Sequence, residues 1–329
     1  MKAACYTQYG NPNAIFVKAV EIPHPGDNDL LVEVYATTVN RTDCAILQGS
    51  WLMRLFTGLA KPKKQIPGTD FAGRVVSTGR HVKQFKPGDR VFGFDDMGLL
   101  SHAEYLSINC NKAVFKIPDN LPYEEAVSSL ESAHYAINFI NKVKTKPGQR
   151  VLIHGATGGI GSVLVQLCRN NNLYIVATCR PEHINLIRSI GANQVVDYTK
   201  EDFLNTTEKY DFIFDAVGKS TFGKCKTILN DGGIYISSEL GAGAENPFLA
   251  LITKFIGRKK VIFPIPFDTK SSIRYILELI EQEKFKPLID RKYKLEEIQE
   301  AYRYVSSGQK VGNVVLQIRD SDITRIEGI

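Results

Sequence analysis

The sequence predicts an α/β protein of two domains, one β-rich and one built on a doubly wound parallel sheet. Three observations carry that reading. The chain has 329 residues, too many for most single compact domains and enough for two cores of ordinary size. Its first third is a succession of short strand-like runs punctuated by Gly and Pro. From about Tyr123 the apolar spacing changes to the three-and-four rhythm of helices, with strands between them.

In the first third, strands are expected over 30–39 (LLVEVYATTV), 71–79 (FAGRVVSTG), 87–94 (PGDRVFGF) and 103–108 (AEYLSI), where β-formers are bounded by turn residues. The stretch 123–143 spaces its apolar residues as one long helix. Strands at 150–154, 174–179 and 194–198 then alternate with helices at 160–170 and 182–191, the second closed by Gly191. Strand-like runs at 212–217 and 233–238 continue the series. Parallel neighbours cannot be joined by tight hairpins, so the alternation implies crossover helices and a doubly wound sheet. Beyond Gly257 come a strand-like run at 259–265, amphipathic helices at 271–285 and 295–308, and a closing strand at 313–318. The tail after Arg319 is polar and expected to fray.

Hydrophobic residues at 43% and charged residues at 23% describe an ordinary globule and exclude a disordered or fibrous chain. No uncharged apolar run approaches the ~18 residues of a membrane span, and the N-terminus lacks the apolar centre of a secretory signal, so a cytoplasmic protein is expected. The six cysteines are scattered without a CxxC pair and are read as reduced, mostly buried thiols. The net charge of +6 is spread along the chain, with clusters only at Lys61 to Lys64 and Arg258 to Lys260, and gives no strong nucleic-acid signal.

The strand at 150–154 runs directly into Gly155-Ala156-Thr157-Gly158-Gly159-Ile160-Gly161, and a helix starts inside that turn. Such glycines serve a tight turn, the approach of backbone amides to a pyrophosphate, and close packing of helix on strand. The helix N-terminus adds partial positive charge. In NAD-specific folds an acid about 20 residues further on takes the ribose 2′-hydroxyl. Here that strand ends Thr178-Cys179-Arg180-Pro181, with no carboxylate before Glu182. Arg180 suits a 2′-phosphate through charge-assisted hydrogen bonds, so NADPH is expected over NADH.

The runs ATTVNRTD (36–43), IPGTDFAGRV (66–75), PGDRV (87–91), the glycine turn and GNVVL (312–316) together resemble the signatures of medium-chain dehydrogenases/reductases, closest to the zinc-independent quinone oxidoreductase branch. The resemblance covers almost the whole chain and implies a GroES-like β-rich domain with a Rossmann domain. Because the terminal strand belongs to a signature of the first domain, it implies a discontinuous division, with 1–120 and 265–329 in the GroES-like domain and 121–264 in the Rossmann domain. Zinc alcohol dehydrogenases of this superfamily carry Cys where Asn40 stands here and His-Glu where Thr69 and Asp70 stand, and their four-cysteine lobe is absent. Two of the usual three ligands of a catalytic zinc are thereby lost, and no metal is expected.

The same resemblance implies site residues. Asn40 corresponds to an asparagine near nicotinamide and substrate, with a turn residue as its alternative role. Tyr135 stands where relatives have Thr, a phenol that is either a proton donor or a core side chain. Asp43 and Asp70 are weaker candidates, expected as acceptors of backbone hydrogen bonds. Tyr198 is implied near the 2′-phosphate, Val217 and Gly218 on the adenosine side, Ser237 near the nicotinamide, and Asn313 as a polar residue reaching the cofactor. The apolar and basic stretches 50–64, with Trp51, Leu55 and Phe56, and 239–260 are read as a substrate entrance, a subunit interface or a membrane surface.

The expected function is hydride transfer from NADP(H) to a quinone or α,β-unsaturated carbonyl. A low-turnover NADPH-binding scaffold or RNA-binding protein on the same fold is the alternative, and an alcohol or aldehyde dehydrogenase is disfavoured by the missing zinc ligands. Relatives of this kind imply a homodimer or tetramer.

Overall fold

The computed structural model describes residues 1–320, apart from the side chains of Leu52 and Ala242. Residues 321–329 of the polar tail lie outside the described residues. The chain forms two compact units, one of Met1–Glu131, Thr269–Ile273 and the chain from Pro287 onward, the other of Ser132–Asp268 and Arg274–Lys286.

The first unit opens with the antiparallel pair β1 (Lys2–Cys5) and β2 (Phe16–Ala19). Strand β3 (Asp29–Val39) leads into helices α1 (Arg41–Gln48) and α2 (Trp51–Thr57). Strands β4 (Asp70–Thr78), β5 (Arg90–Phe94), β6 (Tyr105–Asn109) and β7 (Val114–Lys116) follow, then helix α3 (Tyr123–Ser128).

The second unit alternates regularly: α4 (Glu131–Ile140), β8 (Arg150–His154), α5 (Gly159–Asn170), β9 (Tyr174–Cys179), α6 (Ile184–Ser189), β10 (Gln194–Asp197), β11 (Tyr210–Asp215), α7 (Phe222–Cys225), β12 (Leu229–Ser237), α8 (Glu245–Thr253), β13 (Lys260–Ile262) and α9 (Thr269–Glu281). Its six strands are parallel in the order β10-β9-β8-β11-β12-β13. Side chains alternate between two buried faces: Val151, Ile153, Phe212 and Phe214 point to one core, Leu152 and Ile213 to the other. Helices cover both faces, which explains why these strands read as continuous apolar runs.

The chain returns through β14 (Ile289–Lys294), α10 (Ile298–Ser306) and β15 (Asn313–Gln317). Strand β15 pairs with β3, so the closing strand completes the first unit's seven-stranded sheet, ordered β14-β15-β3-β4-β5-β7 with β6 also on β3.

Three differences from the sequence reading have physical causes. The single helix expected over 123–143 is broken between α3 and α4, where the Ser129 hydroxyl donates back to the Glu125 carbonyl at 2.7 Å and its N–H turns to Ala126 O at 3.2 Å. The boundary expected near 120 falls at this break. Residues 265–268 and 274–286, expected with the first domain, belong to the second unit: Ile276, Leu279 and Phe285 enter its core, and the Gln166 amide clamps both backbone groups of Lys286 at 3.0 Å.

In the first unit His102 is fully buried. Its Nε2–H donates to the Thr38 carbonyl at 2.9 Å, which leaves Nδ1 as the acceptor facing the Tyr302 hydroxyl at 3.4 Å. Burial, partly opposed by the Thr38 bond, holds the imidazole down to about 4 from its usual 6.5. The folded state therefore keeps His102 neutral at pH values where the unfolded chain binds a proton, and stability is lost as pH falls from 6.5 towards 4. His102→Gln keeps a donor for Thr38 without the titration. The difference between the two urea-unfolding curves should grow by about 3 kcal/mol in favour of the variant between pH 7 and pH 4. Parallel curves would show that His102 does not set this slope.

Candidate active site

The parallel register of the second unit gathers its candidates along one edge. Asp215 lies opposite His154 on one side and Ser237 on the other, and His154 lies opposite Thr178. Asp197 lies opposite Cys179, so Arg180 and Tyr198, each one residue past a strand end, become neighbours. The edge is the carboxyl end of the sheet, and the order reverses between β8 and β11, where doubly wound sheets hold ligands.

The glycine turn occupies that reversal. Gly155 has φ +82°, and a Cβ there would lie 2.4 Å from Val217 Cγ1. A Cβ on Gly161 would lie 2.2 Å from the Gly155 carbonyl oxygen, so this glycine lets α5 pack on the end of β8. Gly158 is different: a Cβ would meet only Gly155 O, at 3.6 Å, and φ is −68°. The fold has no need of glycine there, while the approach of a ligand to the backbone does. Gly158 caps α5 with no side-chain hydrogen bond, which leaves first-turn donors at Gly159, Ile160 and Gly161 for an anion. Ala156 and Thr157 complete the turn, with the Ala156 N–H already bonded to Thr178 O at 3.2 Å.

Thr178, expected at the cofactor, is completely buried behind the turn. Its hydroxyl accepts from Gly155 N at 3.2 Å and bonds His154 Nδ1 at 2.8 Å, so it braces the turn and presents no group to a ligand. Arg180 is exposed, and its Nε donates to the Tyr198 hydroxyl at 3.2 Å. This pair is 18 residues apart in sequence and forms a cation with an attached hydroxyl at the far end of the edge.

Asp215, which sequence reasoning passed over, organises the other side. Oδ1 accepts from Val217 N at 3.2 Å and Gly218 N at 2.8 Å, and Oδ2 from Ser220 N and the Tyr235 hydroxyl, both at 3.0 Å. Gly218 turns with φ +62°, and a Cβ there would strike Glu239 Cγ at 2.2 Å. A strand ending in Asp before a Gly was the available signal. Ser237, closing β12, is buried and accepts from Glu239 N at 3.3 Å.

The first unit holds a second group of polar side chains. Asn40 is the N-cap of α1: Oδ1 accepts from Asp43 N at 2.9 Å while Asp43 Oδ2 accepts from Asn40 N at 3.1 Å. One hydrogen of its Nδ2 goes to Thr69 Oγ1 at 2.7 Å. Asn40 thus has the capping role weighed as its alternative, with a second amide hydrogen beyond the Thr69 bond. Asp70 accepts from Thr38 N at 2.7 Å, Thr38 Oγ1 at 2.5 Å and Thr37 Oγ1 at 3.0 Å. Burial raises its carboxyl to about 6 against the pull of these donors. Burial and the charge of Asp70 push Asp43 well above the carboxylate range, and Asp43 Oδ1 has no hydrogen-bond partner. Glu131, also overlooked, accepts from the Thr42 hydroxyl at 2.8 Å, and burial pushes it up to about 8.

Asn313 and Tyr135 complete the expected set. Asn313 donates through Nδ2 to the carbonyls of Ser128 at 3.1 Å and Leu288 at 3.0 Å, which ties α3 to β15 and commits its amide within the first unit. Tyr135 lies half-buried on α4 of the second unit, so the two candidate catalytic residues come from different units.

Comparison with known proteins agrees with this arrangement. The family model described as alcohol dehydrogenase GroES-like domain matches residues 26–119, and that described as zinc-binding dehydrogenase matches 190–316. The chain is 30% identical over 334 residues to the chloroplastic quinone-oxidoreductase QR1 of Triphysaria versicolor, across 96% of this chain and 98% of the relative. It is 27% identical over 330 residues to the chloroplastic NADPH-dependent alkenal/one oxidoreductase of Arabidopsis thaliana, across 96% and 79%. Among solved structures, the fold is similar to the quinone oxidoreductase from Coxiella burnetii, with a TM-score of 0.84 at 24% identity over 97% of this chain and 99% of the other. It is also similar to the Escherichia coli quinone oxidoreductase complexed with NADPH, with a TM-score of 0.81 at 22% identity over 97% and 100%. The chain belongs to the medium-chain dehydrogenase/reductase superfamily, in its quinone-oxidoreductase-like branch.

Zinc, named by one of these models, does not fit the residues present. Asn40 offers an amide already bonded to Thr69, Asp70 is filled by three donors, and burial pushes the nearby Cys44 thiol up to about 12. Among the described residues no three His, Cys, Asp or Glu side chains come together as a metal site.

The two glycines separate fold from ligand. Gly158→Ala should keep stability within about 1 kcal/mol and weaken NADPH binding about tenfold or more. Gly161→Ala should lose about 3 kcal/mol of stability through overpacking. In fluorescence titrations of both nucleotides, Arg180→Ala should weaken NADPH much more than NADH. Equal losses for both nucleotides would remove Arg180 from the 2′-phosphate.

Proposed function

We propose that the chain is an NADPH-dependent reductase of quinones or α,β-unsaturated carbonyls that works without a metal ion. The observation that carries the reading is the carboxyl edge of the second unit, where a glycine not needed by the fold precedes a helix start with free donors and Arg180 meets Tyr198. The relatives named quinone oxidoreductase and alkenal/one oxidoreductase support the acceptor class.

When bound, NADPH supplies the hydride. The backbone donors of Gly159 to Gly161 would hold the pyrophosphate, Arg180 and Tyr198 the 2′-phosphate, and Val217 and Gly218, fixed by Asp215, would border the adenosine. Ser237, at the end of β12, would border the nicotinamide. An isolated carbonyl needs strong polarisation, whereas a conjugated acceptor spreads the developing charge, so hydrogen bonds suffice. The second Nδ2 hydrogen of Asn40 donates to the acceptor oxygen, with Thr69 holding the amide plane. The Tyr135 phenol is the candidate source of the proton that completes the reduction. All six cysteines are free and buried, in keeping with a reducing compartment such as the cytoplasm.

Asn40→Ser separates donor from cap, since serine caps a helix as well as asparagine. Turnover of a conjugated enone or quinone should fall about 10²- to 10³-fold with NADPH affinity nearly unchanged, while stability falls by only about 1–3 kcal/mol through the lost Thr69 bond. Unchanged turnover would leave Asn40 a capping residue only, and rapid oxidation of saturated alcohols by the parent would point back to an alcohol dehydrogenase.

Self-association into a homodimer or tetramer is part of the proposal. Strand β13 ends its sheet, and α8 with the residues after it exposes Phe248, Leu251, Phe255 and Ile256. Light scattering should give a mass of at least two chains at micromolar concentration, and Phe255→Glu should lower it; a parent monomer would overturn this part.

A further inference from the structure

Helix α2 and the loop after it present Trp51 at 76% exposure, Leu55 at 54%, Phe56 at 63% and Leu59 at 70%. The opposite side of the helix is firmly tied. The Tyr9 hydroxyl donates to Gly58 O at 2.7 Å and meets Thr57 Oγ1 at 2.8 Å. Arg54 Nε donates to Gly49 O at 2.8 Å, and its guanidinium lies 4.8 Å over the Tyr9 ring. The polar groups of α2 therefore face the protein, and four large apolar side chains face water.

The segment that forms this patch carries charge of one sign, and the Asp95 carboxylate near Lys64 is itself paired with Lys112. Residues 44–69 include Arg54, Lys61, Lys63 and Lys64 and no Asp or Glu. Arg54 is held as described, and Lys64 donates to the Met97 and Gly98 carbonyls at 2.7 Å. Lys61 and Lys63 are exposed beside Leu59. Tryptophan, phenylalanine and leucine flanked by the exposed Lys61 and Lys63, with no carboxylate in their own segment, are suited to the boundary of an anionic bilayer. A second copy meeting this patch symmetrically would bring the same lysines together and repel.

We propose that α2 and the loop to Lys64 dock the protein peripherally on an anionic phospholipid bilayer, with Trp51, Leu55, Phe56 and Leu59 entering the headgroup boundary and Lys61 and Lys63 pairing with lipid phosphates. The attachment is peripheral because no described helix is long and apolar enough to cross a membrane. It stands apart from the reductase reading, since its test involves no turnover.

Trp51 is the chain's single tryptophan, so its emission reports on the patch alone. Vesicles of phosphatidylcholine with about a third phosphatidylserine should shift the emission to the blue and pellet with the protein, and brominated lipid should quench it. Pure phosphatidylcholine should do far less. Lys61→Gln with Lys63→Gln, and separately Phe56→Ser with Leu59→Ser, should each weaken partitioning about tenfold or more, with the thermal midpoint unchanged. Three results would overturn the proposal: no shift with either vesicle, a shift produced by protein concentration alone, or a shift produced only by a small acceptor in solution. The second would assign the patch to self-association and the third to a substrate entrance.

Discussion

The carboxyl edge of the second unit depends on one close approach, that of α5 to the end of β8. The Gly161 backbone sits so near the Gly155 carbonyl that a single methyl group would intrude, and the helix start can face a ligand only from that position. Gly155 in turn packs under Val217, whose loop is held by Asp215. Thr178 braces the turn from behind through its hydroxyl and its carbonyl. Two glycines therefore serve packing, and the surrounding polar residues hold their geometry. Gly158, by contrast, has no steric duty.

The first unit solves a different problem, the burial of several ionisable groups near α1. Buried carboxylates persist when donors surround them, as Asp70 shows with Thr37 and Thr38, or when protonation relieves their charge, the direction in which Asp43 is pushed. The mutual bond of Asn40 and Thr69 belongs to this network. Where a zinc enzyme would offer thiolate and imidazole, this chain offers an amide and a hydroxyl already paired. A hydrogen-bond donor is what the arrangement can supply to a substrate oxygen.

Both apolar surfaces flagged by composition prove to be exposed, yet they differ in kind. Helix α8 continues into the region of an edge strand, where a neighbour can extend the sheet. Helix α2 is short and is followed by the exposed Lys61 and Lys63. The same hydrophobic content thus supports the proposal of a protein partner in one place and that of a lipid surface in the other.

Residue order by itself determined the alternation of strands and helices, the glycine turn, the absent strand-end acid and the lost zinc ligands. Each is a local pattern, and periodicity or spacing reports it directly. Only the tertiary structure decided partnerships. Arg180 meets Tyr198 because β9 and β10 are paired in register, and Asp215 gathers four donors because β12 brings Tyr235 alongside. The break at Ser129, the second unit's hold on residues 274–286 and the commitment of Asn313 to Ser128 and Leu288 also arise from contacts between distant segments. A sequence pattern encodes which side chains are buried, whereas the partner of a buried polar group depends on what folding brings within about 3 Å of it.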